Sequence, residues 1–237
     1  MHLSNLLIKI ISGIDALLMN TILGIYSKEN HDFFFIEIGA SDNIETDHIG
    51  KSIFKFNWRG IIVEPVPYLF EKLTRNYGTI KRLIFENVAI AEENCERDFY
   101  YVSGQSSGIS NSIKGIGSFF IDHIHKFNFP GKEKDIVSQR IKCLTFEELI
   151  RKHEVKKLDL LQIDTGGYDY KILKTINFER IKPKILHYEF CHLNKEEQLE
   201  SVDLLQSKGY IIIRKKANIL AFLKPGDSLI LNILIGA

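Results

Sequence analysis

The sequence predicts an α/β fold, a mostly parallel sheet wrapped by helices on both faces. Three observations predict it. Short apolar runs bounded by turn residues alternate with longer segments of helical periodicity from Phe33 to Leu223. Several runs are apolar at nearly every position, as expected of strands buried between two helix layers. The chain has 237 residues, 45% hydrophobic and 26% charged, which is enough for one large core.

The elements are taken in chain order. Leu3, Leu7, Ile10, Ile14, Leu17 and Leu18 recur at helical spacing, so residues 1–27 read as an amphipathic helix. Lys9, Asp15 and several Ser and Asn residues make it too polar for a transmembrane segment, and it lacks the basic start of a secretory signal. Its expected role is to pack on the body, 28–237, or to form a homodimer contact. A strand over 33–38 runs into Gly39 and Ala40. A helix over 49–56 presents Ile49, Ile53, Phe54 and Phe56. A second strand, 60–63, ends at Glu64-Pro65, and a helix over 68–77 turns Leu69, Phe70 and Leu73 inward. Residues 83–91 read as a third strand and 97–102 as an extra hairpin strand.

The stretch 103–134, rich in Gly, Ser and Asn, reads as a long loop with a short helix near 119–125, of the kind that forms lids and binding loops. A strand comes next over 136–143. Thr145 can cap the helix 146–153, with Glu148 three residues on completing a capping box. An apolar strand, 158–163, ends at Asp164, and a Gly166-Gly167 turn opens the helix 168–176. The strand 184–190 and the helix 195–207, closed by Gly209, come after it. Runs over 210–213, 219–223 and 229–234 finish the sheet as a meander.

Composition narrows the function classes. Lys plus Arg total 31 against 30 for Asp plus Glu, a net charge of +1, which argues against a broad nucleic-acid-binding surface. Cys95, Cys143 and Cys191 lie far apart with no CxxC pair, so neither a disulfide scaffold nor a Cys-rich zinc site is expected and a reducing, cytoplasmic setting fits. There is no GxGxxG and no GxxxxGK[ST].

Ligands of doubly wound folds sit at the carboxyl ends of the strands. Those ends carry Glu37 to Asn43, Glu64, Ala89 and Asp164 to Gly167. A carboxylate at Glu37 beside a Gly turn suits an ammonium or sulfonium group rather than a pyrophosphate. Glu64, closing the second strand, is placed to accept both hydroxyls of a ribose. Acids at two consecutive strand ends point to nucleoside binding. Asp164 and Glu189 close what read as adjacent strands, so their carboxylates can converge as a general base or around a divalent ion. His187 and His192 are further base candidates. His123 and His125, in the long loop, read as solvated, and Ser106, Ser107 and Ser110 as polar loop residues or ligand contacts.

The stretches FIEIGASDN (35–43), NWRGIIVEPVP (57–67), NVAI (87–90), LDLLQIDTGGYDYKIL (158–173), PKILHYEF (183–190) and LLQSKGY (204–210) together resemble the FkbM family of S-adenosylmethionine-dependent methyltransferases. The resemblance implies a class I methyltransferase (Rossmann-like) fold, a seven-stranded mixed sheet whose last strand is antiparallel. It implies S-adenosyl-L-methionine as cofactor and methyl transfer to a sugar, glycan or natural-product acceptor, most simply at a hydroxyl. N-methylation, or a degenerate binding subunit, are the alternatives. Carried over by residue, Glu37, Gly39, Ala40 and Asp42 line the methionine part of the donor. Glu64 holds the ribose, Asn87, Val88 and Ala89 flank the adenine, and Asp164 stands where donor and acceptor meet; Glu189 and His187 are the catalytic candidates that the reading of the strand ends adds to it. No metal is implied. The chain departs from the family pattern at Asn43, where Gly is usual, and at Gly166, where the family's D-x-E-G motif has its Glu.

Overall fold

β1 (Phe34–Ile38) is an interior strand of a seven-stranded sheet. The computed structural model describes residues 23, 24, 26–28, 30–42, 49–105, 108–129, 132–214 and 217–223. The expected N-terminal helix falls almost wholly outside the described residues, as do Asn43, Ser106, Ser107 and the strand expected over 229–234. Among the described residues no helix is long and apolar enough to cross a membrane.

Side chains of β1 alternate between two cores. Ile36 and Ile38 join one cluster, and Phe35 joins another with Trp58 and Ile53. Trp58 stacks on Phe33 with ring centroids 4.1 Å apart and donates from Nε1 to Ser27 Oγ at 2.8 Å, fixing the chain just before the sheet. From β1 the chain passes through α1 (Gly50–Lys55) to β2 (Arg59–Val63), then through α2 (Pro67–Tyr77) to β3 (Leu83–Glu86). It later returns to the other side of β1 as β8 (Leu160–Ile163), continuing through α7 (Asp169–Thr175), β9 (Ile185–Glu189) and α8 (Lys195–Ser207) to the pair β10 (Tyr210–Arg214) and β11 (Asn218–Leu223). The spatial order is β3-β2-β1-β8-β9-β11-β10, and β11 alone runs against its neighbours. The last strands are therefore not a simple meander, because β11 inserts between β9 and β10. Strand order reverses at β1, so the chain leaves the carboxyl ends of β1 and β8 toward opposite sides and a crevice opens above them.

The run expected as one strand over 83–91 breaks in two. Asn87 Nδ2 donates to the carbonyls of Glu64 and Pro65, at 2.8 and 3.2 Å, and turns the chain out of the main sheet. The next strand, β4 (Ala89–Ile90), belongs to a second sheet with β5 (Cys95–Val102), β6 (Gly117–Ser118) and β7 (Ile136–Leu144), in the order β4-β7-β5-β6. The strand expected over 136–143 thus serves this sheet and not the main one. β5 and β7 pair along eight residues, which gives the connection between them a rigid base. That connection carries three short helices, α3 (Asn111–Lys114), α4 (Ile121–His125) and α5 (Lys132–Asp135), and is more ordered than its composition predicts.

Capping follows the sequence in part. Thr145 Oγ1 accepts from Glu148 N at 3.0 Å at the start of α6 (Phe146–Lys152), but the Glu148 carboxylate turns to Arg151, so the box is half made. The complete box stands at α8, where Asn194 and Glu197 satisfy each other's backbone N–H groups. Gly209 follows α8 with φ of +85°, the left-handed conformation that glycine adopts without penalty.

Candidate active site

The crevice at the carboxyl ends of β1, β2 and β8 is closed over by the second sheet and by residues 115–127, leaving a cavity of about 290 Å³. Its first wall is built by Gly39. With φ of +88°, a Cβ there would lie 1.8 Å from the carbonyl oxygen of Asp164. Only glycine lets the ends of β1 and β8 approach this closely. The next turn places Ser41 at φ +58°, aiming its N–H at Glu64 Oε2, 2.7 Å away. Val66 N–H donates to the other oxygen, Oε1, at 2.8 Å. Glu64 is 3% exposed, and burial pushes its carboxyl up to about 7, against the pull of these two N–H groups. Pro65, Ala89 and Ile90 continue this wall.

The opposite wall is acidic. Asp169, at the start of α7 and fully buried, accepts from Thr165 Oγ1 (2.9 Å), Gly167 N (3.2 Å) and Glu189 N (3.2 Å), tying the turn after β8 to the end of β9. Burial, then the nearby Asp164, pushes its carboxyl up to about 7. Glu189 is pushed up to about 8 by burial and by the charges of Asp164 and Asp169, and it shares a hydrogen bond with Asp164. Two carboxyls so placed cannot both ionise cheaply, which favours a proton on Glu189. His192 Nε2 stands 3.4 Å from Glu189 Oε1, and Cys191 Sγ 3.8 Å from it. Glu189, Cys191 and His192 bring one donor atom each within 4.8 Å, close enough for one ion to bridge. His123 packs edge-on against His192, ring centroids 4.8 Å apart, and burial, with the charges of His192 and Lys126, pushes it down to about 4.

The Methyltransferase FkbM domain family model matches residues 37–212, three quarters of the chain. This chain belongs to the FkbM methyltransferase family. Among solved structures it is similar to an FkbM methyltransferase from Methylobacillus flagellatus KT, at 14% identity and a TM-score of 0.51, over 81% of this chain and 44% of that one. The chain therefore spans less than half the length of that relative. Fainter likenesses are to Aeropyrum pernix fibrillarin in complex with natively bound S-adenosyl-L-methionine (10% identity, TM-score 0.43, 82% of this chain and 66% of that one) and to a SAM-dependent O-methyltransferase from Thermotoga maritima (9%, 0.41, 87% and 66%). No curated protein matches. The seven-stranded sheet with one antiparallel strand is the class I methyltransferase fold.

Of the FkbM-type positions read from sequence, Gly39, Glu64, Ala89, Asp164 and Glu189 line the cavity. Glu37, Ala40, Asp42, Asn87, Val88 and His187 do not. Glu37, 1% exposed, sits in register with Gln162 on β8 and His187 on β9, on the sheet face that also carries Phe35. Asp42 pairs with Lys72 at 3.1 Å. Ala40 and Val88 are core residues, and Asn87 acts through its backbone contacts. Sequence reasoning passed over Ser41 and Asp169, although both lie inside quoted motifs. Ser41 contributes a backbone N–H set by a left-handed turn, and Asp169 contributes hydrogen bonds to a loop. Neither leaves a mark in residue type. His123, read as a solvated loop residue, is 5% exposed on the cavity wall.

Proposed function

We propose that this chain transfers the methyl group of S-adenosylmethionine to a hydroxyl oxygen of a sugar, glycan or natural-product acceptor. The observation that carries this reading is the Asp164–Glu189 carboxyl pair, which meets on the cavity wall at the rim where β8 and β9 end. A hydroxyl must lose its proton as it is methylated, and a positioned carboxylate supplies the acceptor for it. A neutral amine has no such need, which favours oxygen over nitrogen.

The residues present fit the donor. Each oxygen of Glu64 accepts one backbone N–H and keeps a second lone pair for a ribose hydroxyl. The missing side chain at Gly39 leaves room beside the turn, and Pro65, Ala89 and Ile90 offer an apolar wall to a flat base. When bound, the donor supplies a methyl group already activated on a sulfonium. The protein's part is then in-line positioning and disposal of the proton. Asp169 orients the 164–167 turn and the end of β9, so the two carboxyls meet at a fixed place. Asp164 receives the hydroxyl proton while Glu189 keeps its own.

The test is calorimetry with S-adenosylhomocysteine, followed by an acceptor screen that detects release of that product. Asp164→Asn and Glu189→Gln should lower turnover by about 10²–10⁴ while the S-adenosylhomocysteine Kd stays within about twofold. Wild type with no affinity for the nucleoside would overturn the reading.

A further inference from the structure

Cys95 and Cys143, far apart in the sequence, stand directly opposite each other where β5 and β7 pair. Opposite residues of an antiparallel pair place their Cα atoms about 4.5–5.5 Å apart, with both side chains on one face. A disulfide spans about 4.4–6.8 Å between Cα atoms, so the backbone already stands at bridging distance. Cys143 belongs to the apolar cluster of Val66, Phe99 and Ile141, and Cys95 packs against the same cluster. Cys143 also faces Ala89 of β4 in register, and Ala89 lines the cavity. The two thiols are unequal. Cys143 is 1% exposed, and burial, with Cys95 beside it, pushes its thiol up to about 12. Cys95, at the start of β5, is only partly buried.

We propose that Cys95 and Cys143 are a redox site whose oxidant is a small-molecule disulfide of the glutathione type, and that the cross-strand bond it leaves locks the cover of the cavity. Cys95, the reachable thiol, attacks the oxidant as its thiolate. One glutathione leaves, and Cys95 carries the other as a mixed disulfide. Cys143 then gives up its proton and attacks the Cys95 sulfur, and the second glutathione leaves. The two cysteines lose two electrons and two protons, and the oxidant takes both up as two free thiols. Capping Cys95 removes the charge that held the Cys143 thiol up, so the first step favours the second. In a reducing setting the pair rests as two thiols, and the bond forms when the oxidant rises. The bond closes residues 95–143 into one covalent ring. That ring contains residues 115–127, which cover the cavity, and α4, whose His123 Nε2 lies 2.8 Å from where a Cβ on Gly166 would stand. The bond forms whether or not the chain transfers methyl groups.

The experiment treats the full chain under native conditions with glutathione disulfide and follows it by non-reducing peptide mapping, with dithiothreitol as the reversal. Wild type should show Cys95 joined to Cys143, with glutathione on neither. Cys143→Ala should stop at a glutathione adduct on Cys95, and Cys95→Ser should leave Cys143 a free thiol. In concentrated urea the strands no longer hold the sulfurs together, so the ratio of closed bond to Cys95 mixed disulfide should fall about tenfold or more. Hydrogen exchange along β5 and β7 should be about tenfold slower in the oxidised chain than in the reduced one. The proposal falls if wild-type Cys95 stays reduced or ends as a glutathione adduct, if either residue bonds to Cys191 instead, or if urea leaves the ratio unchanged. Equal exchange in the two forms overturns the lock.

Discussion

With the ribose of the donor on Glu64, as proposed, donor affinity becomes a function of pH. Its carboxyl is buried and, in the free protein, pushed up to about 7. Ribose hydroxyls donate to the carboxylate and have less to donate to once it is protonated, so binding pulls the pKa down. A proton must then leave before the nucleoside binds, and affinity falls as pH drops through 7. The penalty is the factor 1 + 10^(7 − pH), about 1.1 at pH 8 and about 11 at pH 6, or roughly a tenfold loss across those two units. Calorimetry with S-adenosylhomocysteine over pH 5.5–8.5 measures it. Glu64→Gln should flatten the slope and, because its amide nitrogen meets one of the two backbone N–H groups, should bind about tenfold or more weakly at pH 8. Asp169 and Glu189 are pushed up into the same range, but Glu189 stands on the opposite wall with Asp169 buried behind it, and both remain in the variant. A slope that persists in Glu64→Gln would assign the effect to them and refute the placement of the ribose. So would a flat wild-type profile with tight binding.

Three further outcomes are expected from the same geometry. Gly39→Ala drives a methyl into the Asp164 carbonyl in a left-handed backbone, and should cost about 2–5 kcal/mol in chemical denaturation, with nucleoside binding lost as well. Glu64, Asp169 and Glu189 all have folded pKa values above their unfolded ones, so the folded state binds more protons between about pH 4 and 8 and stability should fall as pH rises through that window, with Asp169→Asn removing part of the slope in pH-dependent urea titrations. Thr145→Ala should cost about 1 kcal/mol, whereas Glu148→Ala, whose carboxylate pairs with Arg151 rather than the helix end, should change the urea midpoint little.

The main sheet was legible because its strands are short runs apolar at most positions, separated by longer helical segments, so period and length together mark the element. The second sheet was not. β5 and β7 are half-exposed and polar along much of their length, and their pairing joins residues about forty apart, a contact no local pattern announces. The break at Asn87 was hidden for a related reason. An apolar run shows where a strand can exist and not where a side-chain amide ends it. At the site, residue type picked out Glu64, Asp164 and Glu189, the acids that line the cavity. It also picked out Glu37, which does not line the cavity, since an acid near a strand end can face either side of the sheet, and one step of the two-residue period decides which. It missed Ser41, Asp169 and His123, whose roles come from backbone conformation, loop bracing and a tertiary approach.

The second sheet also explains why a histidine from a long connection can hold a fixed place against Gly166. Tyr168, which directly follows the Gly166-Gly167 turn, accepts from Arg97 Nη1 at 2.8 Å and donates to Glu92. Arg97 lies on β5 and places its guanidinium 4.4 Å from the ring centroid of Phe119, two residues before α4. Phe119 packs in turn on Tyr168, centroids 4.8 Å apart. One cation therefore grips both the turn after β8 and the start of the segment that carries His123. With β5 and β7 paired behind it, the connection is held at its base and at its tip. Loop residues contribute to a site only when ordering them costs little at the moment of binding. Here the Arg97–Tyr168–Phe119 contact has met that cost in the free protein, so the imidazole and the carboxyl pair stand in register before any ligand arrives.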